Sequence, residues 1–159
     1  MQGVEAACVL RVAGATATKR MPGSVGAVCR LRAEGPDLGL VVVGADPFGL
    51  LAAAVDGHDE WVIHRERVSE AELAGLYRSA GAYVTASVYE GFGLPVVEAQ
   101  MLGAPVICSQ GGALPEVAGF GAHYPPAGDA ASHATSIAMV VSEDDVAEAL
   151  RVAGYRNVN

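Results

Sequence analysis

The chain has 159 residues, 52% of them apolar, and carries 18 acidic against 10 basic side chains for a formal net charge of −8. That length can build the core of one domain, and that composition is globular rather than disordered. The acidic balance argues against nucleic acid or an anionic membrane as the main partner, because both favour a basic face.

Residues 6–12 read as a first strand, and the small-residue loop 13–18 delivers Arg20 and Lys19, the only lysine in the chain. Val25, Val28, Cys29 and Arg32 recur at helical spacing and predict a helix over 22–33, which Gly35 and Pro36 end. The apolar run 38–44 fits a central parallel strand covered on both faces. Asp46 is the expected N-cap of a helix reaching about Val55, followed by a turn at Gly57, His58 and Asp59 and a third strand over 60–64. Ser69, Glu70, Ala71 and Glu72 have the form of a capping box, which starts a helix through Leu73, Leu76 and Tyr77 to Ala80.

The stretch 82–99 organises the rest. Its first five residues alternate and are rich in aromatic and β-branched side chains, so they predict a strand; Gly91 and Gly93 break it, and Pro95 suits the first position of a helix ending at Gly103. A buried strand over 105–109 follows, and 110–117 repeats the order of strand, glycine turn and helix. Both turns then fall on one rim, where open α/β sheets bind ligands. A short strand over 122–124 and two helices, 129–141 and 142–156, the second started by Ser142, complete the chain. Strands alternating with helices predict an α/β fold: a Rossmann-like three-layer α/β/α sandwich with a parallel sheet of about six strands, in one domain spanning 1–159.

Glycines before a helix start let a ligand's phosphate oxygens approach unpaired backbone N–H groups at the positive end of the helix dipole. Glu90 and Glu98 frame that turn. Carboxylates repel phosphate, so beside one they suit hydroxyl donors such as a sugar or a ribose diol. On spacing alone, two solvated glutamates and an ordinary turn explain the segment equally well. Glu116 in the second glycine segment is read as serving its own helix dipole. Cys8, Cys29 and Cys108 are odd in number and widely spaced, which predicts buried thiols in a reducing compartment and no metal site. His58, His64, His123 and His133 show no metal spacing, and no G-x-G-x-x-G follows the first strand. No apolar run approaches the roughly 20 residues that cross a bilayer, and the N-terminus lacks a basic signal region, so the expected location is cytoplasmic.

The wording of Glu90-Gly91-Phe92-Gly93-Leu94-Pro95-Val96-Val97-Glu98 closely resembles the E-x7-E signature of retaining GT-B glycosyltransferases, particularly glycosyltransferase family 4. The phrase 31–44 is similar to the same family, the stretch Gly111-Gly112-Ala113-Leu114-Pro115-Glu116-Val117 resembles its Gly-Gly-x-Pro-Glu-Val segment, and the likeness runs from about Leu31 to Val152. The resemblance implies the C-terminal, donor-binding half of an enzyme with two Rossmann-like domains facing across a cleft. That enzyme would transfer a hexose from a nucleotide sugar, such as a UDP- or GDP-hexose, with retention and without a metal. Carried onto this chain, Glu98 would hold the ribose hydroxyls, Glu90 the donor sugar's hydroxyls, and the glycine-turn backbone, Gly91 with Phe92, Gly93 and Leu94, the diphosphate. Lys19 and Arg20, in reversed order from the family's pair, would neutralise the diphosphate; as residues alone they also fit two solvated loop charges. The loop 65–68, with Arg65 and Val68, would cover the base, though a charged surface loop reads the same way.

The family's N-terminal acceptor domain has no counterpart here, so the chain is expected to be excised from a longer enzyme, to bind a nucleotide sugar and not to turn over alone. Any peripheral membrane association would come through that missing half. A non-catalytic nucleotide-binding module, or a subunit completing a split glycosyltransferase, would carry the same motif. An epimerase of the same architecture or a dinucleotide oxidoreductase fits less well.

Overall fold

The computed structural model describes residues 7–12, 21–35, 37–55, 57, 60–89 and 91–159. Ala6, the 13–20 loop with Lys19 and Arg20, Pro36, His58, Asp59 and Glu90 lie outside the described residues.

Six strands form one sheet: β1 (Ala7–Val12), β2 (Leu38–Val43), β3 (Val62–Arg65), β4 (Ala82–Thr85), β5 (Val106–Cys108) and β6 (Ala122–His123). Their order is β3-β2-β1-β4-β5-β6 and every pairing is parallel. β1 pairs with β2 from Ala7 opposite Leu38 to Val12 opposite Val43, and with β4 through Val9 opposite Ala82. The helices are α1 (Met21–Glu34), α2 (Leu50–Ala54), α3 (Glu70–Ser79), α4 (Leu94–Met101), α5 (Leu114–Ala118), α6 (Ala130–Ser142) and α7 (Asp144–Val158), with a 3₁₀ turn at Gly119–Gly121. This is the expected Rossmann-like sandwich with six parallel strands.

Alternation along the central strands splits the core in two. Val9, Leu40, Val42, Val84 and Ile107 pack with Val25, Val28 and Leu31 of α1 and Ile137 and Val140 of α6. Leu10, Val41, Tyr83, Val106 and Cys108 face the opposite way, onto Tyr77 of α3, Val96 and Ala99 of α4 and Leu114 of α5. A parallel sheet covered on both faces needs apolar side chains at successive positions, which explains the unbroken run in β2.

Most boundaries agree with the sequence, and the exceptions have local causes. α2 starts at Leu50, not at Asp46. The Asp46 carboxylate nevertheless reaches forward to accept from the N–H groups of Leu50 (2.8 Å), Leu51 (3.0 Å) and Ala52 (3.1 Å). Desolvation opposes ionisation there, but those three N–H groups prevail and hold the carboxyl below the usual carboxylate range. Ser142 does not start α7; it closes α6 by donating to the Ala138 carbonyl, and Glu143 precedes α7, whose first turn carries Asp144 and Asp145. α3 has the full capping box: Ser69 Oγ accepts from Glu72 N–H, and Glu72 accepts from Ser69 N–H (2.8 Å). Of the cysteines, Cys108 is buried and its thiol is pushed up to about 12 by burial, whereas Cys8 and Cys29 are only half-buried.

Gln100 ties α4 to the end of α7. It is 1% exposed, donates to the carbonyls of Ala118 (2.8 Å) and Gly121 (3.2 Å), and accepts from Asn157 Nδ2 (2.9 Å). Asn157 also donates to the Val117 carbonyl at 2.8 Å.

Candidate functional site

The strand order reverses between β1 and β4, and in open α/β sheets that switch point opens a crevice beyond the carboxyl ends of the strands. The loop leaving β4 enters this crevice and is held from β5. Ser109 N–H donates to the Thr85 carbonyl (3.0 Å), Ser109 Oγ donates to the Ser87 carbonyl, and the hydroxyls of Thr85 and Ser87 lie 3.1 Å apart. Gly111 lies so close to the Ser87 and Val88 carbonyls that a Cβ would overlap both. The second glycine segment therefore supports the first, and the two share one rim as expected.

Gly93 is the N-cap of α4, in the left-handed region at φ 80°, and a Cβ there would fall 2.8 Å from Leu114 Cδ2. The left-handed backbone favours glycine there, and a Cβ would also displace the Leu114 methyl. Pro95 has no N–H, and the Val96 N–H already donates to the Gly93 carbonyl (2.9 Å). The anion-binding capacity of this helix end thus falls to the amides of Gly93 and Leu94. The side chains of Phe92 and Leu94 are exposed.

Glu98 lies one turn further on, half-buried on the side of α4 that meets α3. The Tyr77 hydroxyl donates to Glu98 Oε2 at 3.0 Å. Tyr77 is fully buried; its ring lies 5.8 Å from that of Tyr83 at 52°, and the Tyr83 hydroxyl donates to the Val12 carbonyl (3.4 Å) at the end of β1. Burial, then the neighbouring Tyr83 and Glu98, push the Tyr77 phenol far above its ordinary value, so it remains a proton donor.

The other expected residues are dispersed. Arg65, exposed at the end of β3, and half-buried Val68 line a cavity of about 340 Å³ with Val41, Ile63, Glu72 and Leu76. Gly91 and Phe92 line a separate one of about 520 Å³ with Val97, Glu116, Val117 and Asn157. Glu98 lines neither.

One buried group, Arg11, escaped the sequence reading, and His133, expected to be structural, is buried as well. Arg11 interrupts the apolar β1, is 1% exposed and donates from Nη1 to Ser24 Oγ on α1 (2.9 Å). His133 is buried in the first turn of α6, where Nδ1 donates to the Asp129 carbonyl (2.9 Å) and Nε2 has no hydrogen-bond partner among the described residues. Burial pushes its imidazole below the ordinary range, against the pull of Asp129 and with the push of the Arg11 charge. The signal for Arg11 was a lone charge inside an apolar strand. Among the described residues, no three His, Cys, Asp or Glu side chains gather as a metal requires, and no helix is long and apolar enough to cross a membrane.

A six-stranded parallel sheet with glycine-turn helix starts beside its order reversal defines a Rossmann-like α/β fold, the kind from which GT-B glycosyltransferases are built. The family model described as Glycosyl transferases group 1 matches residues 4–157, and the chain belongs to that family. It is 40% identical over 95 residues to an MMP alpha-(1->4)-mannosyltransferase from Mycolicibacterium hassiacum, covering 58% of this chain and 23% of that protein. It superposes with TM-score 0.81 and 26% identity on the C-terminal domain of a glycosyl transferase group 1 family protein from Francisella tularensis, covering 94% of this chain and 83% of that one. A pneumococcal O-GlcNAc transferase solved with UDP and GlcNAc superposes with TM-score 0.82 at 22% identity, covering 95% of this chain and 32% of that one. The chain spans between 16% and 33% of the length of the curated relatives it matches.

Proposed function

We propose that this chain is the C-terminal, donor-binding part of a retaining, metal-independent glycosyltransferase of family 4, and that it binds a nucleoside diphosphate sugar at the switch point between β1 and β4. The observation that carries the proposal is the α4 N-terminus, where a left-handed glycine sits five residues ahead of a half-buried glutamate in a chain of the glycosyl transferases group 1 family. The near-complete match to a solved C-terminal domain supports the domain assignment. The UDP in the pneumococcal neighbour supports a nucleotide as ligand.

In this reading Glu98 accepts hydrogen bonds from the ribose hydroxyls, and Glu90 from hydroxyls of the hexose. The amides of Gly93 and Leu94, with Gly91 and Phe92 shaping the turn, receive the diphosphate, and the loop containing Arg65 and Val68 borders the base. Transfer breaks the bond from the anomeric carbon to the diphosphate, and negative charge grows on the departing nucleotide. Lys19, Arg20 and the α4 dipole oppose that charge where it develops, which lowers the barrier more than it tightens ground-state binding. The acceptor is bound by a separate N-terminal domain, so this chain alone binds donor without transfer.

Calorimetric titration with UDP, GDP, ADP and dTDP, beside a Glu98→Ala variant, tests this. Selective binding of one nucleotide that weakens at least about tenfold in the variant, a change of about 1.4 kcal/mol, is the expected result. Absence of binding by all four at millimolar concentration refutes the donor-site reading for this chain.

A further inference from the structure

We propose that Tyr77 is a positioning residue, which presets the Glu98 carboxylate for recognition of a ribose diol. This inference rests on the donor-site reading above. A glutamate on a helix surface samples several rotamers and loses that freedom when a ligand captures it. Here one carboxylate oxygen is already held. Tyr77 donates to Oε2 at 3.0 Å and is the one side chain among the described residues that hydrogen-bonds Glu98, so Oε1 keeps its acceptor capacity.

The donor is itself fixed. Tyr77 is fully buried, its ring leans on Tyr83, and the Tyr83 hydroxyl is bonded to the Val12 carbonyl at the last residue of β1. The carboxylate of α4 is thereby referenced to β1, across the strand reversal where the nucleotide lies in the proposed site. The chemistry of the donor suits the task. A lysine or arginine in this place would neutralise Glu98 and compete with a diol for its lone pairs. A phenol kept protonated by burial anchors one oxygen and leaves the charge available to strengthen bonds from sugar hydroxyls.

The experiment measures the affinity of whichever of UDP, GDP and ADP binds, and of its 2′,3′-dideoxy counterpart, for the wild type, Tyr77→Phe, Glu98→Ala and the double variant. Phenylalanine keeps the buried ring, and thermal unfolding checks that the variant is folded. Tyr77→Phe is expected to weaken ribonucleotide binding about tenfold and dideoxynucleotide binding hardly at all, so that discrimination between them collapses. In the Glu98→Ala background the same substitution is expected to change neither affinity. A purely structural role for Tyr77 would weaken both ligands equally and persist without Glu98; that pattern, or unchanged discrimination in Tyr77→Phe, overturns the proposal. Tyr83→Phe removes the hydroxyl behind Tyr77 but leaves the bond to Glu98, and is expected to reduce discrimination by less. If the wild type discriminates but Glu98→Ala discriminates equally well, the assignment of Glu98 fails and this inference with it.

Discussion

Replacing Gln100 with leucine tests how firmly α4 is locked to the far end of the chain. Leucine nearly matches the side-chain volume but removes three hydrogen bonds, those to the Ala118 and Gly121 carbonyls and that from Asn157. Asn157 keeps its bond to the Val117 carbonyl and is partly exposed, so water can satisfy the rest of its amide. The two carbonyls are worse placed, because Gly121 lies against the Gly154 backbone with no room even for a Cβ. Each buried acceptor left without a partner costs about 1–3 kcal/mol, and carbonyls tolerate the loss better than N–H groups. The gain from burying leucine's extra apolar surface offsets about 1–2 kcal/mol of that. The net expectation is destabilisation by about 2–3 kcal/mol, or roughly 4–12 °C in Tm for a chain of this size. Thermal unfolding followed by circular dichroism measures it, with urea unfolding to confirm an unchanged m-value. Asn157→Ala should cost less, since it leaves both Gln100 donors in place. A Gln100→Leu melting point within about 1 °C of wild type would refute the reasoning, because an error that small corresponds to no unsatisfied buried carbonyl.

Gly111→Ala drives a Cβ into two backbone carbonyls that cannot rotate away, so a loss of about 2–4 kcal/mol is expected in urea unfolding, together with weaker nucleotide binding as the 87–89 loop shifts. Ser69→Ala removes the capping box of α3 at an exposed site; it should cost about 1 kcal/mol without altering nucleotide affinity. His133 has a folded pKa below its ordinary 6.5, so the unfolded chain takes up the proton first on acidification. Its contribution is therefore complete above pH 6.5 and declines below it, and His133→Gln should lose that part of the acid slope in urea titrations between about pH 5 and 7.5.

The fold was legible where one physical signal decided each element. The apolar run of β2 fitted a covered parallel strand, the Ser69 to Glu72 pattern fitted a helix start, and Pro95 after two glycines located the start of α4 to within a residue. Errors arose where a polar side chain acts at a distance along the chain. Asp46 caps α2 from four residues before it begins, a reach that a one-position rule for N-caps does not anticipate. Ser142 turned back to bond its own helix instead of starting the next. In the site, Glu98 was singled out by the likeness of its segment to the E-x7-E signature, since spacing alone left a solvated glutamate equally open. Its partner was not, because Tyr77 shares a helical stripe with Leu73 and Leu76 and reads as core; only the packing of α3 against α4 turns its hydroxyl into a carboxylate anchor. Nor could spacing foresee that Arg65 and Val68 line one cavity while Gly91 and Phe92 line another, since that depends on where α3 crosses the sheet.

The reversed strand order also sets a schedule for synthesis. β1 lies between β2 and β4, so one of its two edges is satisfied early and the other waits for roughly 70 further residues, from Val12 to Ala82, to leave the ribosome. At about 5–20 residues per second that wait is roughly 4–14 s, during which an apolar strand edge carrying a charged Arg11 stands open. The sheet therefore cannot be completed from its amino-terminal half alone, because the second edge of β1 closes only when β4 arrives.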